Sequence, residues 1–66
     1  MGYICFDCNG TVVGVTVPDE VVELFSQYRK KSQKTIKELS LEIVAEFGVV
    51  SEETVINFIY SRVLPS

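Results

Sequence analysis

From Val12 to Phe47 the chain reads as one short strand, a proline-acidic break and two amphipathic helices, and this order constrains the fold more than any other feature. The strand is Val12-Val13-Gly14-Val15-Thr16-Val17. Pro18 ends it, because proline has no N–H to donate to a ladder, and the same residue presets φ for a helix start. Asp19 and Glu20 then fall in a first turn, where negative charge suits the helix dipole. Val21, Leu24, Phe25 and Tyr28 follow at core spacing, and Arg29, Lys30 and Lys31 close this first helix with positive charge, giving a predicted span of 19–31. A lone strand cannot pair with itself, and two short helices do not close a core over it. The stretch therefore predicts association with a second copy, as a homodimer.

Upstream, Tyr3–Cys8 and Thr11–Val17 flank Asn9-Gly10, the strongest short signal for a hairpin, because a type I′ turn needs positive φ at both central residues. The expected hairpin covers 3–17. Strand alternation turns Val13, Val15 and Val17 to the core and Val12, Gly14 and Thr16 to solvent or a ligand. Downstream, Ser32 to Lys34 is a short connection. Thr35-Ile36-Lys37-Glu38 fits a capping box. Helix two, 35–47, then carries Ile36, Leu39, Ile43, Val44 and Phe47 on one face, with Leu41 and Ala45 broadening the stripe and Gly48 as its stop. Ser51 caps a third helix, 51–64, with Val55, Ile56, Ile59 and Val63 along one side, Phe58 and Tyr60 beside it, and Pro65 ending it. The predicted fold is α+β, a short N-terminal hairpin or ribbon followed by three helices in a single domain over 1–66, with no repeat or linker.

The chain has 66 residues, and 47% of them are hydrophobic. A chain of this size buries only ~60% of its unfolded surface, and small domains usually need disulfides, metal or oligomerisation; so high an apolar content fits a subunit interface. No apolar run approaches the ~20 residues of a membrane span. The N-terminus lacks a basic region followed by an apolar block, so neither a membrane nor a signal peptide is expected. Two cysteines three apart make no disulfide framework, and a reducing, cytoplasmic setting is the expectation.

The net charge is −3 and the pI about 4.7, which counts against nucleic-acid binding, because phosphate neutralisation supplies most non-specific affinity. Five of the six cations, however, lie between Arg29 and Lys37: Arg29, Lys30, Lys31, Lys34 and Lys37. Lysines beside the amide end of a helix suit a phosphate; a solvated loop is the plainer reading.

Cys5-Phe6-Asp7-Cys8-Asn9-Gly10 is the most chemical-looking motif. Two thiolates with two residues between them, before a small turn residue, form half of a tetrahedral zinc site, and the pattern is similar to one knuckle of a zinc ribbon. With no second CxxC and no histidine, four ligands require Cys5 and Cys8 from each of two chains. The alternative is two reduced thiols acting as small hydrophobes. No cofactor is otherwise required. Without histidine, a nucleophile–base pair or a glycine-rich phosphate loop, an enzyme is not expected.

Residues 12–47 resemble the ribbon-helix-helix family of small dimeric repressors and antitoxins. The matching features are the strand Val13-Gly14-Val15-Thr16-Val17, the entry Pro18-Asp19-Glu20-Val21 and the apolar second helix. The resemblance implies an intertwined homodimer whose paired strands enter the major groove of double-stranded DNA. It places Val12, Gly14 and Thr16 toward the groove, and Lys34 and Thr35, with Lys37 nearby, at a phosphate. A second stretch, Glu42 to Val55, resembles a helix-turn-helix with Gly48 in a turn one residue longer than usual. These resemblances imply a homodimeric DNA-binding transcriptional regulator of ribbon-helix-helix type. The alternative is a protein-interaction module, an antitoxin or adaptor, on the same dimeric fold, stapled by a zinc shared between Cys5 and Cys8 of two chains.

Overall fold

In the computed structural model, which describes residues 1–8 and 10–63, the chain forms β1 (Gly2–Cys8), β2 (Thr11–Val17), α1 (Asp19–Ser32), α2 (Ile36–Phe47) and α3 (Glu52–Val63). β1 and β2 pair antiparallel from Gly2↔Val17 to Cys8↔Thr11. The connection leaves Gly10 at φ 84°, a conformation that glycine adopts without a Cβ penalty. Its amide donates to Asp7 Oδ1 at 3.0 Å, so the turn is pinned by a side chain as well as by backbone. Asn9, the other turn position, lies outside the described residues, as do the expected end of the third helix at Leu64 and its stop at Pro65.

The helix ends follow the local chemistry. Pro18 takes the N-cap position of α1 with φ −56°, and its carbonyl accepts from Val21 and Val22 at 2.9 and 3.1 Å. α1 runs to Ser32, one residue past the expected Lys31, and closes on Gln33 in the left-handed region at φ 57°. The capping box of α2 is formed in both directions. Glu38 N donates to Thr35 Oγ1 at 3.2 Å, and Thr35 N donates to Glu38 Oε1 at 3.0 Å. Gly48 ends α2 at φ 85°. Before α3, Ser51 and Thr54 make a similar reciprocal pair, each backbone amide donating to the other's hydroxyl.

One face of the hairpin carries the core. Phe6, Val15 and Val17 are buried there, with Ile4, Cys8 and Val13 half-buried beside them. α2 packs against β1, α3 against β2 and α1 against α3. These helices supply Val21, Phe25, Leu39, Ile43, Val55, Phe58 and Ile59. Phe6 meets Phe25 edge-on at 5.3 Å between ring centroids, and Tyr28 meets Phe58 at 6.2 Å. Arg62 ties α3 to α2 by an ion pair with Glu46 at 2.9 Å while its guanidinium lies 4.5 Å from the Phe58 ring centroid.

This core closes within one chain. The accessible surface is 4192 Å², against about 4200 Å² for a folded monomer of this mass. The radius of gyration is 10.8 Å, against about 11 Å for a compact domain of this length. The sequence expectation that a second copy is needed to complete the core is therefore corrected: β1 supplies the missing strand and α3 the missing helix. Val44, expected on the core face, is likewise corrected. Leu39, Ile43 and Phe47 recur every fourth residue and define the packed line, and Val44, about 100° round the helix from Ile43, is left 36% exposed. Leu41 and Ala45 are exposed with it. Val50, which no periodicity picks out, is buried between α2 and α3 in sequence.

Candidate functional site

The outward face of the hairpin is built by alternation. Val12, Gly14 and Thr16, the residues expected to face a groove, are all exposed there, opposite Asp7, Cys5 and Tyr3 respectively. Gly14 is glycine for a steric reason. The Tyr3 ring, itself 66% exposed, lies diagonally across it, and a Cβ at position 14 would overlap the phenol. Tyr3 thereby shields a stretch of bare backbone. The face offers Tyr3, Cys5, Thr16 and methyl groups. Its one formal charge, Asp7, is negative and already holds the Gly10 amide.

The strand geometry separates the two thiols. Cys5 and Cys8 lie in one regular strand, and positions three apart in a strand point to opposite faces. Cys5 is exposed on the outward face, whereas Cys8 is half-buried against the core. About 10 Å of strand separates their Cα atoms, so the pair does not converge on one metal, and no metal chemistry is derived from it. Groups of three or more His, Cys, Asp or Glu side chains placed to hold a metal are absent among the described residues.

The expected phosphate contacts, Lys34, Thr35 and Lys37, do sit together at the start of α2. Two of them are engaged within the chain. Thr35 is the N-cap and its hydroxyl already serves the Glu38 amide. Lys34 Nζ donates to Glu42 Oε2 at 2.6 Å, and that contact raises its pKa above the ordinary value. The Glu38 carboxyl is held below its ordinary value, first by the Thr35 amide and then by the Thr35 hydroxyl. Lys37 is exposed.

Further unpaired cations lie at the end of α1. Arg29 and Lys30 form no ion pair among the described residues. With Ser26 and Lys34 they line a hollow of about 210 Å³ at the α1–α2 corner. Ser26 and Arg29 also belong to a second, adjoining hollow of about 340 Å³, between the Tyr3–Ile4–Cys5 segment of β1 and the Val22–Phe25 side of α1, with Ile36 at the start of α2. The sequence reading missed Tyr3, Ser26 and Phe25 as neighbours. Only the course of α1 alongside β1 brings them together.

The Glu42–Val55 stretch spans the end of α2 and the start of α3. α2 and α3 are joined through Gly48, and α3 buries Val55, Phe58 and Ile59 while exposing Glu52, Glu53 and Asn57. Its leading turn is thus negative, the wrong sign for a phosphate backbone. Among the described residues, no helix is long and apolar enough to cross a membrane.

Neither family models, curated proteins nor solved structures give a match to this chain.

Proposed function

We propose that the chain is a non-catalytic protein-interaction module with a ribbon-helix-helix-like layout, acting as a homodimer that presents its hairpin side to a protein partner. The observation carrying this reading is the chemistry of the hairpin's outward face. Tyr3, Cys5, Asp7, Val12, Gly14 and Thr16 include no cation and none of the bidentate donors that read base edges, whereas exposed Tyr3 and Val12 suit a protein contact. The exposed stripe of Leu41, Val44 and Val49 along and just beyond α2 supports contact with a second copy.

A DNA-binding regulator is the second reading, and one observation favours it: Arg29 and Lys30, free of ion pairs among the described residues, lie beside Lys34 at the corner leading into α2. That arrangement suits phosphate contact without base readout. Fluorescence anisotropy with duplex DNA across a salt series separates the two. The interaction module gives only weak, sequence-indifferent binding that vanishes as salt rises and is lost in Arg29→Ala/Lys30→Ala. Sequence-selective binding near physiological salt that is altered by Val12→Ala or Thr16→Ala overturns the proposal in favour of the ribbon reading.

A further inference from the structure

We infer that the free edge of β1 and the groove beside α1 form a docking site for an extended, carboxylate-bearing peptide segment, which adds to the hairpin as a third strand. The inference rests on the protein-interaction reading and specifies the site and the chemistry of the partner.

Three features converge on it. The first is an unused backbone edge. Cys8 and Thr11 face each other across a two-residue connection, which makes them the closing hydrogen-bonded pair of the ladder. Alternation then directs the N–H and C=O groups of Tyr3 and Cys5 away from β2, toward a side where no further strand pairs among the described residues. Such an edge is a template for strand addition. The second feature is the groove itself, about 340 Å³, with apolar lining from Ile4, Val22, Phe25 and Ile36. In strand addition alternate side chains of the guest fill such a pocket while main-chain bonds supply affinity. The third is charge. Arg29 lines the groove and the adjoining hollow, where Lys30 and Lys34 join it. Lys34 is held by Glu42, but Arg29 and Lys30 have no carboxylate partner among the described residues. A guest carboxylate at this end completes the pairing, and the planar guanidinium of Arg29 suits a bidentate contact. Ser26, exposed and small, lines both hollows.

The test is a titration of the full chain with a fluorescent six-residue peptide of alternating valine and threonine that ends in aspartate with a free carboxylate. Anisotropy reports binding, and amide shifts report its location. The expected result is saturable binding with shifts concentrated on Tyr3–Cys5 and Val22–Arg29. Affinity should fall ~10-fold or more, about 1.4 kcal/mol, in Arg29→Glu. Ser26→Trp, which puts bulk where the two hollows share a lining residue without a charge change, should lower it as well. An amidated peptide ending in asparagine binds more weakly, and a peptide N-methylated at alternate residues does not bind. Both substituted positions are exposed, so far-UV circular dichroism unchanged from wild type shows that the fold is intact. Equal binding of the N-methylated peptide, or shifts lying elsewhere, overturns strand addition. Displacement of the peptide by inorganic phosphate at matched ionic strength, with the N-methylated control binding equally, marks an anion site only and overturns the inference too. No peptide binding, together with no sequence-selective DNA binding, removes this groove but leaves the interaction-module reading in place; DNA selectivity dependent on Val12 and Thr16 removes both.

Discussion

Replacing Phe6 by alanine tests whether one chain builds its own core. Phe6 is fully buried on the inward face of β1 and stands edge-on to Phe25 of α1 at 5.3 Å. It is therefore a principal link between the sheet and the first helix. Truncating a buried phenylalanine costs about 3–5 kcal/mol through lost transfer energy and the cavity left behind. The edge-to-face pair accounts for roughly 0.5–1.5 kcal/mol of that. At ~0.05–0.15 kcal/mol per residue, a domain of this length holds only about 3–10 kcal/mol in total, so Phe6→Ala sits close to the limit of folding. In a domain this small each kcal/mol moves the thermal midpoint by roughly 4–8 °C; the expected fall is ~12–40 °C. Phe6→Leu keeps most of the volume and should lose only about 1–1.5 kcal/mol. Thermal and urea melts followed by circular dichroism measure both, with the urea slope showing whether the unfolded surface has changed. Because Phe6 and Phe25 belong to the same chain, the loss should be equal at the lowest and highest protein concentrations. A loss under ~1 kcal/mol for Phe6→Ala, or one that vanishes at high concentration, would refute a core closed by hairpin and helices of a single chain.

Four further expectations follow from local features. Thr35→Ala removes the hydroxyl half of the α2 capping box, leaving the backbone amide of residue 35 to Glu38, and should cost about 1 kcal/mol in a urea melt. Since the Glu38 carboxyl is held below its ordinary 4.5, its contribution is present above that value and is lost as pH falls through the lowered folded value; the stability gap between wild type and Glu38→Gln should close only on the acid side. A thiol assay with a bulky disulfide reagent on native protein should show one fast thiol, removed by Cys5→Ser, and a slow one at half-buried Cys8; two equally fast thiols, or tight stoichiometric zinc binding that needs both, would contradict the opposite-face placement. Leu41→Glu with Val44→Glu should leave the circular dichroism unchanged and weaken self-association in sedimentation equilibrium by ~10-fold or more; an unchanged dimer would move the interface off α2.

Features written in short-range chemistry were legible in the sequence. The hairpin signal of Asn9-Gly10, the Pro18 entry, the Thr35–Glu38 box and the Gly48 stop each depend on neighbours within a few residues, and the starts of the three helices and the ends of the first two lie within one residue of expectation. The separation of Cys5 from Cys8 was also available, since a spacing of three in a strand fixes opposite faces; the CxxC pattern drew attention to the loop side instead. What the chain did not announce was tertiary. Val44 has the periodicity of a core residue, yet α2 uses Leu39, Ile43 and Phe47 and turns Val44 outward. The single-chain core was missed for a similar reason: Phe6 and Phe58 come from the first strand and the last helix, and nothing local shows that they share one interior. The groove beside β1 depends on where α1 runs, so Ser26 and Arg29 carried no signal of their own beyond charge.

Once the core is complete in one chain, any dimer must be held by surface, and magnitudes decide how strongly. Leu41, Val44 and Val49 remain 43%, 36% and 55% exposed. Fully burying such a side chain contributes about 1.5–3 kcal/mol, so the remaining exposure of all three offers roughly 2–4 kcal/mol per copy and about twice that across a symmetric contact. Association costs ~4–15 kcal/mol in lost translational and rotational freedom. The α2 stripe alone therefore comes near to breaking even, which supports a weak, concentration-dependent dimer and not an obligate one. A tight dimer needs a second contact, and the free edge of β2, where Val12, Gly14 and Thr16 direct their backbone groups away from β1, is the available one. Pairing there would make a sheet four strands wide, twice the width of a ribbon that a DNA groove admits. The same step that tightens the dimer thus works against groove insertion, and it leaves the outer β1 edges free for a partner segment.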